Sequence, residues 1–406
     1  MKKMRYFYVL LTIGGVFLLF YANRYWTNRS EAEEFFRPSP NTSLFNPEHG
    51  YSELHSETAS SSYFGSNLHH YYNLVMKGFA TSDEETDEEN DLLEDPELDN
   101  RRCEWKIHSS PIPLELKHRQ YARMKLIHDL CDSNGTLGFN GKWQTIDDIP
   151  NWELGHLLVD DRHGIIYCYV PKVACTEWKR VMIVLSESLK VNGVPYRDPS
   201  NIPVELIHGN SIQYLNRYNR TVMKHKLQQY KKFMFVREPF VRLISAYRDK
   251  FQKENQPFYK RYAVPILKRF AKIPNPPASA KEARTAGIAP SFSNFIQYIL
   301  SLPAEKYELL DEHWRQMTHL CHPCQIHYDF IGKMETMEED AAHLLRMLHV
   351  DNIVQFPKNI RGRTDENWVK TWFPNITTEW RRKLFKLFET DYKLFGYQVP
   401  EYLLHP

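Results

Sequence analysis

The most constraining feature of this 406-residue sequence is a strand–loop–helix pattern around one lysine. The apolar run IIYCYV at 165–170 has the length and composition of a buried strand. It ends at Pro171-Lys172, and EWKRVMIVLSESL at 177–189 then repeats apolar residues at helical spacing. This is the order of a phosphate-binding loop, but the loop has no glycine. A loop for a nucleoside triphosphate needs several glycines so that its amides can surround the phosphates.

The alternation of short strands and helices continues along the chain. KKFMFV at 231–236 predicts a second strand, followed by the helix REPFVRLISAYRDKF at 237–251. YDFIGKME at 328–335 predicts a third strand, and helices are predicted at 338–348 and 378–397. This order predicts an α/β fold with a central parallel sheet flanked by helices. In such sheets, ligands bind beyond the carboxyl ends of the strands.

The N-terminal residues predict a membrane anchor. Residues 1–5 carry three positive charges, and the uncharged apolar residues 6–22 reach about the lower length limit for a membrane-spanning helix. The positive-inside rule places residues 1–5 in the cytosol, so we expect a single type II signal anchor. A cleaved signal peptide is the alternative, although no small-residue cleavage site follows. Residues 23–100 then predict an acidic, largely disordered lumenal stem, and residues 101–406 a folded lumenal domain.

Charge is distributed unevenly along the chain. The net charge of +2 combines 7 Lys and Arg against 17 Asp and Glu in residues 1–100 with 45 against 33 in residues 101–406, or −10 and +12. A folded domain of that sign favours anionic partners. The basic segments at 217–232 and 259–272 flank the second predicted strand and its helix, and they suit an anionic polymer.

Sequons and cysteines agree with a lumenal domain. The N-x-S/T sites are Asn28, Asn41, Asn134, Asn219 and Asn375. Asn28 lies close to the predicted membrane span, and we expect glycosylation at Asn134, Asn219 and Asn375. Six cysteines permit disulfides in an oxidising compartment, but six allow 15 pairings, among which the sequence does not choose. The CHPC segment at 321–324 has no second cysteine pair at zinc spacing, which favours a structural role.

Two predicted strand-to-helix corners carry positive charge. Lys172 follows the first strand, and Arg237, Arg242 and Ser245 follow the second. Both corners point unpaired helix amides to the same sheet edge, and two anion sites there suit a ligand with phosphates at both ends. A nucleotide kinase would need a glycine-rich loop and Mg²⁺-binding acids, which the sequence does not show. A membrane-tethered lectin or glycosaminoglycan-binding protein would explain the charge and the anchor, but not the paired corners.

Together, the two corners resemble those of a known family. PKVACT followed by Trp-Lys is similar to the 5′-phosphosulfate loop of the Golgi carbohydrate sulfotransferases. REPFVRLISAYRDKF is similar to their 3′-phosphate motif, an arginine at a strand end with a serine eight residues on. The resemblance covers roughly residues 145–397, including EHWRQMTHLCHPCQIHYDFIGKMET and LFGY. Within the family, the chain looks most like the chondroitin 4-O-sulfotransferases.

The resemblance implies a P-loop-like sulfotransferase fold in residues 101–406. It implies 3′-phosphoadenylyl sulfate (PAPS) as the sulfate donor, with no metal ion. Lys172 would stabilise charge on the phosphate leaving group, and Arg237 and Ser245 would bind the 3′-phosphate. The implied donor-binding residues are Pro171, Lys172, Val173, Ala174, Cys175, Thr176, Glu177, Arg237, Glu238, Pro239, Phe240, Val241, Arg242, Leu243, Ile244 and Ser245. Glu177 departs from the expected Asn and puts a negative charge beside the nucleotide, and Glu238 replaces the commoner Asp.

Sulfuryl transfer also needs a base for the proton of the acceptor hydroxyl. His208 is the first candidate, because the uronyl 2-O-sulfotransferases place a His-Gly pair at a comparable point; His313 is the second and His163 the third. The implied acceptor is position 4 of N-acetylgalactosamine in chondroitin or desulfated dermatan, and a dermatan or N-glycan 4-O-sulfotransferase is the alternative. The implied partners are chondroitin or dermatan glycosaminoglycan chains and the Golgi membrane, with no nucleic acid.

Overall fold

The computed structural model describes five stretches of the chain, residues 112–132, 143–209, 211–303, 306–357 and 365–405. The predicted cytosolic tail (1–5), membrane anchor (6–22) and stem (23–100) lie outside them, as do Asn28, Asn41, Cys103 and Asn134. Within the five stretches, none of the helices combines the length and the apolar character needed to cross a membrane.

A five-stranded sheet forms the centre of the fold. Its strands are β1 (Leu157–Asp160), β2 (Ile165–Cys168), β5 (Gln213–Tyr214), β6 (Lys231–Val236) and β7 (Phe330–Lys333). They lie in the order β5-β1-β2-β6-β7. A separate two-stranded ribbon pairs β3 (Lys190–Val191) with β4 (Val194–Pro195). The strands predicted at 231–236 and within 165–170 and 328–335 are therefore present and adjacent in the sheet.

The sheet is mixed, which corrects the prediction of a parallel sheet. β2, β6 and β7 are parallel, with Tyr167 opposite Phe233 and Phe233 opposite Phe330. β1 runs antiparallel to β2, with Leu158 opposite Tyr167. The chain reverses in a tight turn that ends at Gly164, whose φ of +64° favours glycine. The four-residue β1 was not predicted, because so short an apolar run cannot be told from a loop by its periodicity.

Helices flank the sheet, and four of them, which begin at Cys175, Pro239, Met337 and Thr378, coincide with predicted helices. The helices are α1 (Leu114–Asp132), α2 (Cys175–Ser186), α3 (Val204–Ile207), α4 (Arg220–Gln229), α5 (Pro239–Phe251), α6 (Gln256–Phe258), α7 (Val264–Arg269), α8 (Ala280–Thr285), α9 (Phe292–Leu300), α10 (Met317–Cys321), α11 (Met337–Met347), α12 (Glu366–Trp372), α13 (Thr378–Leu394) and α14 (Glu401–Leu404). A π-helix, Tyr259–Ala263, joins α6 to α7. Turns of 3₁₀ helix occupy Asn151–His156, Pro199–Asn201, Leu215–Arg217, Tyr307–Leu309, Met334–Thr336 and Phe373–Asn375.

Aromatic packing fixes the start of α2 against the sheet. Trp178, in the first turn of α2, is fully buried, with its ring centroid 5.0 Å from that of Phe233 and 4.7 Å from that of Phe235. Truncating such a side chain to alanine typically costs about 3–5 kcal/mol of stability. A second apolar cluster contains residues of α5, α9 and α13. Because β2 and α2 are both held in the core, the loop between them has fixed ends.

Two disulfides tie distant parts of the chain together. Cys168 of β2 pairs with Cys321 of α10, and Cys131 of α1 pairs with Cys324. Both cysteines of the CHPC segment are therefore used structurally, each with a different partner. Cys175, at the start of α2, is a free thiol.

Candidate active site

The loop between β2 and α2 adopts a backbone conformation that is normally left to glycine. Lys172 and Ala174 have positive φ angles, 73° and 51°. Non-glycine residues held there cost on the order of 1–3 kcal/mol each. Val173 donates its amide to the Val170 carbonyl at 3.3 Å, which closes the turn between the two strained residues. The loop thus reaches a phosphate-loop shape without glycine, and surrounding contacts must hold it there.

The first turn of α2 offers unpaired backbone donors. The amides of Ala174, Cys175 and Thr176 form no backbone hydrogen bond within the stretches that the structure describes. The first amides of any helix lack an intrahelical partner, and the helix dipole adds positive potential at the same end. Three such amides next to Lys172 form a site for an anion.

Two arginines of the second corner hold this loop. Arg237, which directly follows β6, donates from Nη1 to the carbonyl of Lys172 at 2.9 Å. Arg242, in α5, donates from Nε to the carbonyl of Pro171 at 3.0 Å. Hydrogen bonds from charged groups contribute about 1.5–3 kcal/mol each, enough to offset the backbone strain. The structure therefore brings the two predicted corners together at the carboxyl edge of β2 and β6.

Some residues of the predicted donor-binding set cannot present a side chain to a ligand. Arg242 is 2% exposed, and its other donors bind the carbonyls of Arg315 at 2.6 Å and Glu312 at 2.8 Å. Burial lowers the pKa of Arg242 to about 10, which still leaves it charged at neutral pH. Its guanidinium therefore links the lysine loop to the segment that contains Glu312 and Arg315. The buried apolar members can offer only backbone atoms: Val173, Pro239, Phe240, Val241, Leu243 and Ile244.

Lys172 is paired with an acid that the sequence pattern does not single out. Its Nζ lies 3.0 Å from Asp249 Oδ2, and the two side chains are 18% and 29% exposed. Burial opposes ionisation of Asp249, but Lys172 and Lys250 hold the pKa of Asp249 well below its usual range. Burial likewise lowers the pKa of Lys172. Asp249 lies four residues after Ser245 on α5, and this spacing, which puts both on one helix face, could have identified it.

A third segment, residues 311–315, lies beside the lysine loop because Arg242 binds both. In this segment, His313 Nδ1 is 2.6 Å from Asp311 Oδ1. The hydroxyl of Tyr262 donates to the other carboxylate oxygen of Asp311 at 2.9 Å. A carboxylate at Nδ1 favours the tautomer with hydrogen on that nitrogen, which leaves Nε2 as a proton acceptor. His313 therefore has the support that a general base requires.

His208 lies close to the same region. It follows α3 and is exposed. Partial desolvation, and then the positive charges of Lys179 and Lys250, lower the pKa of His208. His313 contributes to the same shift. A lowered pKa keeps His208 neutral near pH 7, and a neutral imidazole is the form that accepts a proton.

His163, the third candidate base, lies elsewhere. It occupies the turn between β1 and β2, where its Nδ1 is 2.7 Å from Oδ2 of the fully buried Asp160. This turn precedes β2, whereas the lysine loop follows it. His163 therefore lies at the opposite edge of the sheet from the other two histidines.

Glu312 belongs to a polar network that the sequence does not predict. The hydroxyl of Tyr169 donates to Glu312 Oε2 at 3.1 Å, and His156 Nε2 is 3.5 Å from the same oxygen. Lys179 Nζ lies 3.8 Å from the centre of the Tyr169 ring. Burial lowers the pKa of His156 to about 4, so its contact with Glu312 is not an ion pair at neutral pH. These residues come from four separate segments, and no local pattern joins them.

The charge of Glu177 is compensated locally. Arg180 Nη1 donates to Glu177 Oε2 at 2.7 Å. Both residues line a cavity of about 750 Å³, whose other walls come from residues 197–200 and 351–357. A carboxylate paired in this way repels a neighbouring anion less than an isolated one. The departure from the family pattern at Glu177 is therefore compatible with an anionic ligand at the start of α2.

Glu238 caps α5, and its protonation makes the stability of the fold depend on pH. Its Oε2 accepts from the Val241 amide at 2.5 Å, and the hydroxyl of Tyr392 donates to its other oxygen. Burial raises the pKa of Glu238 to about 7, from an ordinary value of 4.5. The folded chain therefore binds this proton more tightly than the unfolded chain. The resulting stabilisation, on the order of 3 kcal/mol, is complete below about pH 4.5 and is lost as the pH rises through 7.

Replacing Glu238 with glutamine should remove this pH dependence, because the amide stays neutral and its oxygen can still accept from the Val241 amide. We expect similar Tm values for both proteins at pH 5 and a Tm higher by roughly 4 °C for the variant at pH 8. Thermal unfolding between pH 5 and 8 measures this difference. Parallel Tm curves for the two proteins would contradict the raised pKa.

Both predicted glycosylation sites among the described residues are exposed. Asn219 caps α4, with its Oδ1 accepting from the Val222 amide at 2.9 Å. This contact uses the side-chain oxygen and not the nitrogen to which a glycan is attached. Asn375 ends a 3₁₀ turn on the surface.

Comparison with known proteins supports one family. A model of the sulfotransferase family matches residues 155–398, a range that contains both corners. Carbohydrate sulfotransferase 12 of Mus musculus is 44% identical over 423 aligned residues, and that of Xenopus laevis is 45% identical over 424, each covering 100% of both chains. Carbohydrate sulfotransferase 11 of Rattus norvegicus is 40% identical over 300 residues, 72% of this chain and 81% of the relative. No solved structure matches the chain significantly. The resemblance inferred from the two corners is thus confirmed: the chain belongs to the sulfotransferase family, and its full-length relatives are carbohydrate sulfotransferases.

Proposed function

We propose that this protein transfers a sulfuryl group from PAPS to position 4 of N-acetylgalactosamine in chondroitin. The observation that carries the proposal is that Lys172, Arg237 and three backbone amides without a backbone partner, at the start of α2, meet at one sheet edge. The choice of acceptor rests on the sequence resemblance to the chondroitin 4-O-sulfotransferases. The charge of +12 on residues 101–406 agrees with an anionic polysaccharide.

The residues at the two corners fit this donor. The unpaired amides from Ala174 to Thr176 suit the oxygens of a 5′-phosphate, which is smaller than a triphosphate and needs less wrapping. The planar guanidinium of Arg237 suits a 3′-phosphate, with Ser245 two turns along α5. Arg237 also binds the Lys172 carbonyl, so the 3′ site and the 5′ site are mechanically linked.

In the reaction, the acceptor oxygen forms a bond to sulfur as the bond between sulfur and the bridging phosphate oxygen breaks. Negative charge then develops on that phosphate oxygen, and Lys172 is placed to stabilise it. This interaction is stronger in the transition state than in the ground state, so it accelerates the chemical step. The proton of the acceptor hydroxyl passes to a base, for which His208 is the first candidate and His313, supported by Asp311, the second.

The product of the reaction tests the proposal. The purified full-length protein is incubated with labelled PAPS and a panel of desulfated glycosaminoglycans, and the labelled chondroitin is digested to disaccharides with chondroitinase. We expect label mainly in 4-sulfated disaccharides. Mainly 6-sulfated disaccharides would refute the 4-O assignment, and strong preference for iduronate-rich chains would make the protein a dermatan sulfotransferase. If the protein transferred no label to any carbohydrate, the proposed reaction would be refuted.

We also propose that the protein is a single-pass type II protein of the Golgi membrane, with residues 101–406 in the lumen. The charges of residues 1–5, the apolar residues 6–22 and the exposed sequons at Asn219 and Asn375 support this orientation. Glycosidase treatment of protein from secretory cells should lower its apparent mass. In sealed microsomes, residues 101–406 should resist added protease. Digestion of unglycosylated protein from outside the microsomes would refute the orientation.

A further inference from the structure

The two basic segments that flank the second corner differ in how their charges are paired. In the segment 217–232, lysines are paired with acids: Lys224 Nζ is 2.5 Å from Asp147 Oδ1, Lys226 binds Asp161, and Lys231 is 3.0 Å from Asp329. Lys231 begins β6, so this part of the segment lies at the sheet edge opposite the lysine loop. The first segment is therefore largely neutralised, and it ends on the wrong side of the sheet for a substrate.

In the second segment, 259–272, the cations are not neutralised in this way. Its π-helix and α7 bury one face, formed by Tyr259, Tyr262, Ala263, Ile266 and Leu267. The cations of the segment are exposed: Lys260, Arg261, Lys268, Arg269 and Lys272. None of these five forms an ion pair with an acid of the described stretches, and the two arginines lie against the rings of Tyr262 and Phe270, their sequence neighbours. The surface is therefore a basic strip without internal compensation.

The strip begins beside the candidate active site. Lys250, next to the acid that pairs with Lys172, places Nζ 4.5 Å from the centre of the Phe258 ring. That ring meets His313 edge to face, with 5.3 Å between ring centroids. Tyr262, inside the π-helix, donates to Asp311, the support of His313. From this point, the helical segment extends by roughly 13 Å between Lys260 and Arg269.

We propose that Lys260, Arg261, Lys268, Arg269 and Lys272 bind the part of an anionic polysaccharide chain that extends beyond the sugar being sulfated. The inference rests on the proposed function and adds a binding surface to it. A polymer held at the lysine loop passes His313 and then meets these cations, which have no acidic partner to displace among the residues that the structure describes. The regularly spaced carboxylates of the polysaccharide are attracted to each of the five cations in turn. A short oligosaccharide does not reach the far cations.

The strip should therefore make turnover depend on acceptor length and on salt. Each exposed charge contributes little alone, but several facing one polyanion add up, and dissolved salt screens them within about 10 Å at 0.1 M. The far cations, Lys268, Arg269 and Lys272, are the ones to replace. Lys260 and Arg261 directly precede Tyr262, which contacts Asp311, so their replacement could also change activity on short acceptors.

The test compares the full-length wild type, in detergent solution, with the triple variant Lys268→Gln/Arg269→Gln/Lys272→Gln. A control variant, Lys117→Gln/Lys190→Gln/Lys231→Gln, removes the same charge from exposed sites elsewhere. For polymeric chondroitin, we expect the first variant to raise KM by roughly three- to thirtyfold and to flatten its salt dependence. The KM values of this variant for a chondroitin tetrasaccharide and for PAPS should stay within about twofold of wild type. The same is expected of every KM of the control variant.

The proposed role of the basic strip would be refuted if the first variant lost equal activity on polymer and tetrasaccharide. An equal effect of the control variant would refute it too. So would a polymer KM that is unchanged in the first variant. Retention on immobilised chondroitin at rising salt gives a second readout that needs no turnover, and the first variant should elute earlier than the control. A wild type that binds chondroitin through these lysines but sulfates neither acceptor would refute the proposed reaction and still support the strip.

Discussion

Replacing Lys172 with alanine is expected to lower kcat by about a hundredfold or more at saturating PAPS. The side chain is only 18% exposed and pairs with the half-buried Asp249, so its removal leaves this carboxylate with only the longer contacts, 3.3 Å each, to Lys250 and Lys253. That carboxylate would then stand next to the phosphate oxygen on which charge develops. The loss should therefore exceed the roughly 1.5–3 kcal/mol typical of one charge-assisted contact. Steady-state transfer of labelled sulfate measures it.

Two further variants separate the causes of this loss. Lys172→Ala/Asp249→Asn should bind adenosine 3′,5′-bisphosphate more tightly than Lys172→Ala, because the negative charge that repels the phosphate is gone. Arg237→Ala should weaken donor binding by roughly one to two decades, and it should also lower kcat because it frees the Lys172 carbonyl. Near-wild-type turnover of Lys172→Ala would exclude the leaving-group role.

The second large effect is expected for the base. His208→Ala should lower kcat by about 10²- to 10⁴-fold. It should leave binding of adenosine 3′,5′-bisphosphate unchanged, because the base acts on the acceptor. Calorimetric titration with the bisphosphate separates this result from a folding defect. His163→Ala is the matched control and should keep its activity, since this histidine lies at the other edge of the sheet.

His313→Ala decides between the two remaining candidates. If it abolishes turnover while His208→Ala does not, the base is His313, and Asp311→Asn should then also reduce kcat by removing support for the correct tautomer. If both histidine variants turn over at the wild-type rate, neither residue is the base.

The parts of the fold that follow local rules were predictable from the sequence. β6 occupies the predicted residues 231–236, and α5 begins at Pro239, because a proline without an amide hydrogen is tolerated in the first turn of a helix. The direction of β1 was not predictable in the same way. It depends on a reversal at Gly164, and a four-residue run carries too little periodicity to reveal a strand.

The candidate site was only partly predictable, because much of it is made by contacts distant in sequence. Lys172 and Arg237 follow strands, and the order of strands and helices is a local signal. Asp249 could have been found from its helical spacing to Ser245. Glu312 could not, since its partners His156 and Tyr169 lie more than a hundred residues away. The family resemblance places Arg242 in the donor-binding set, whereas in the structure its guanidinium binds the backbone carbonyls of Pro171, Glu312 and Arg315.

The disulfide between Cys168 and Cys321 has a consequence for how the enzyme matures. Cys168 lies three residues before Pro171, and Cys321 follows the segment that contains His313 by only a few residues. One covalent bond thus restrains the distance between the two halves of the candidate active site. A newly made chain acquires that bond only in an oxidising compartment. Chains produced in the reducing cytosol, such as those of an unmodified bacterial expression host, should therefore lack this constraint, and recombinant production should favour secretion.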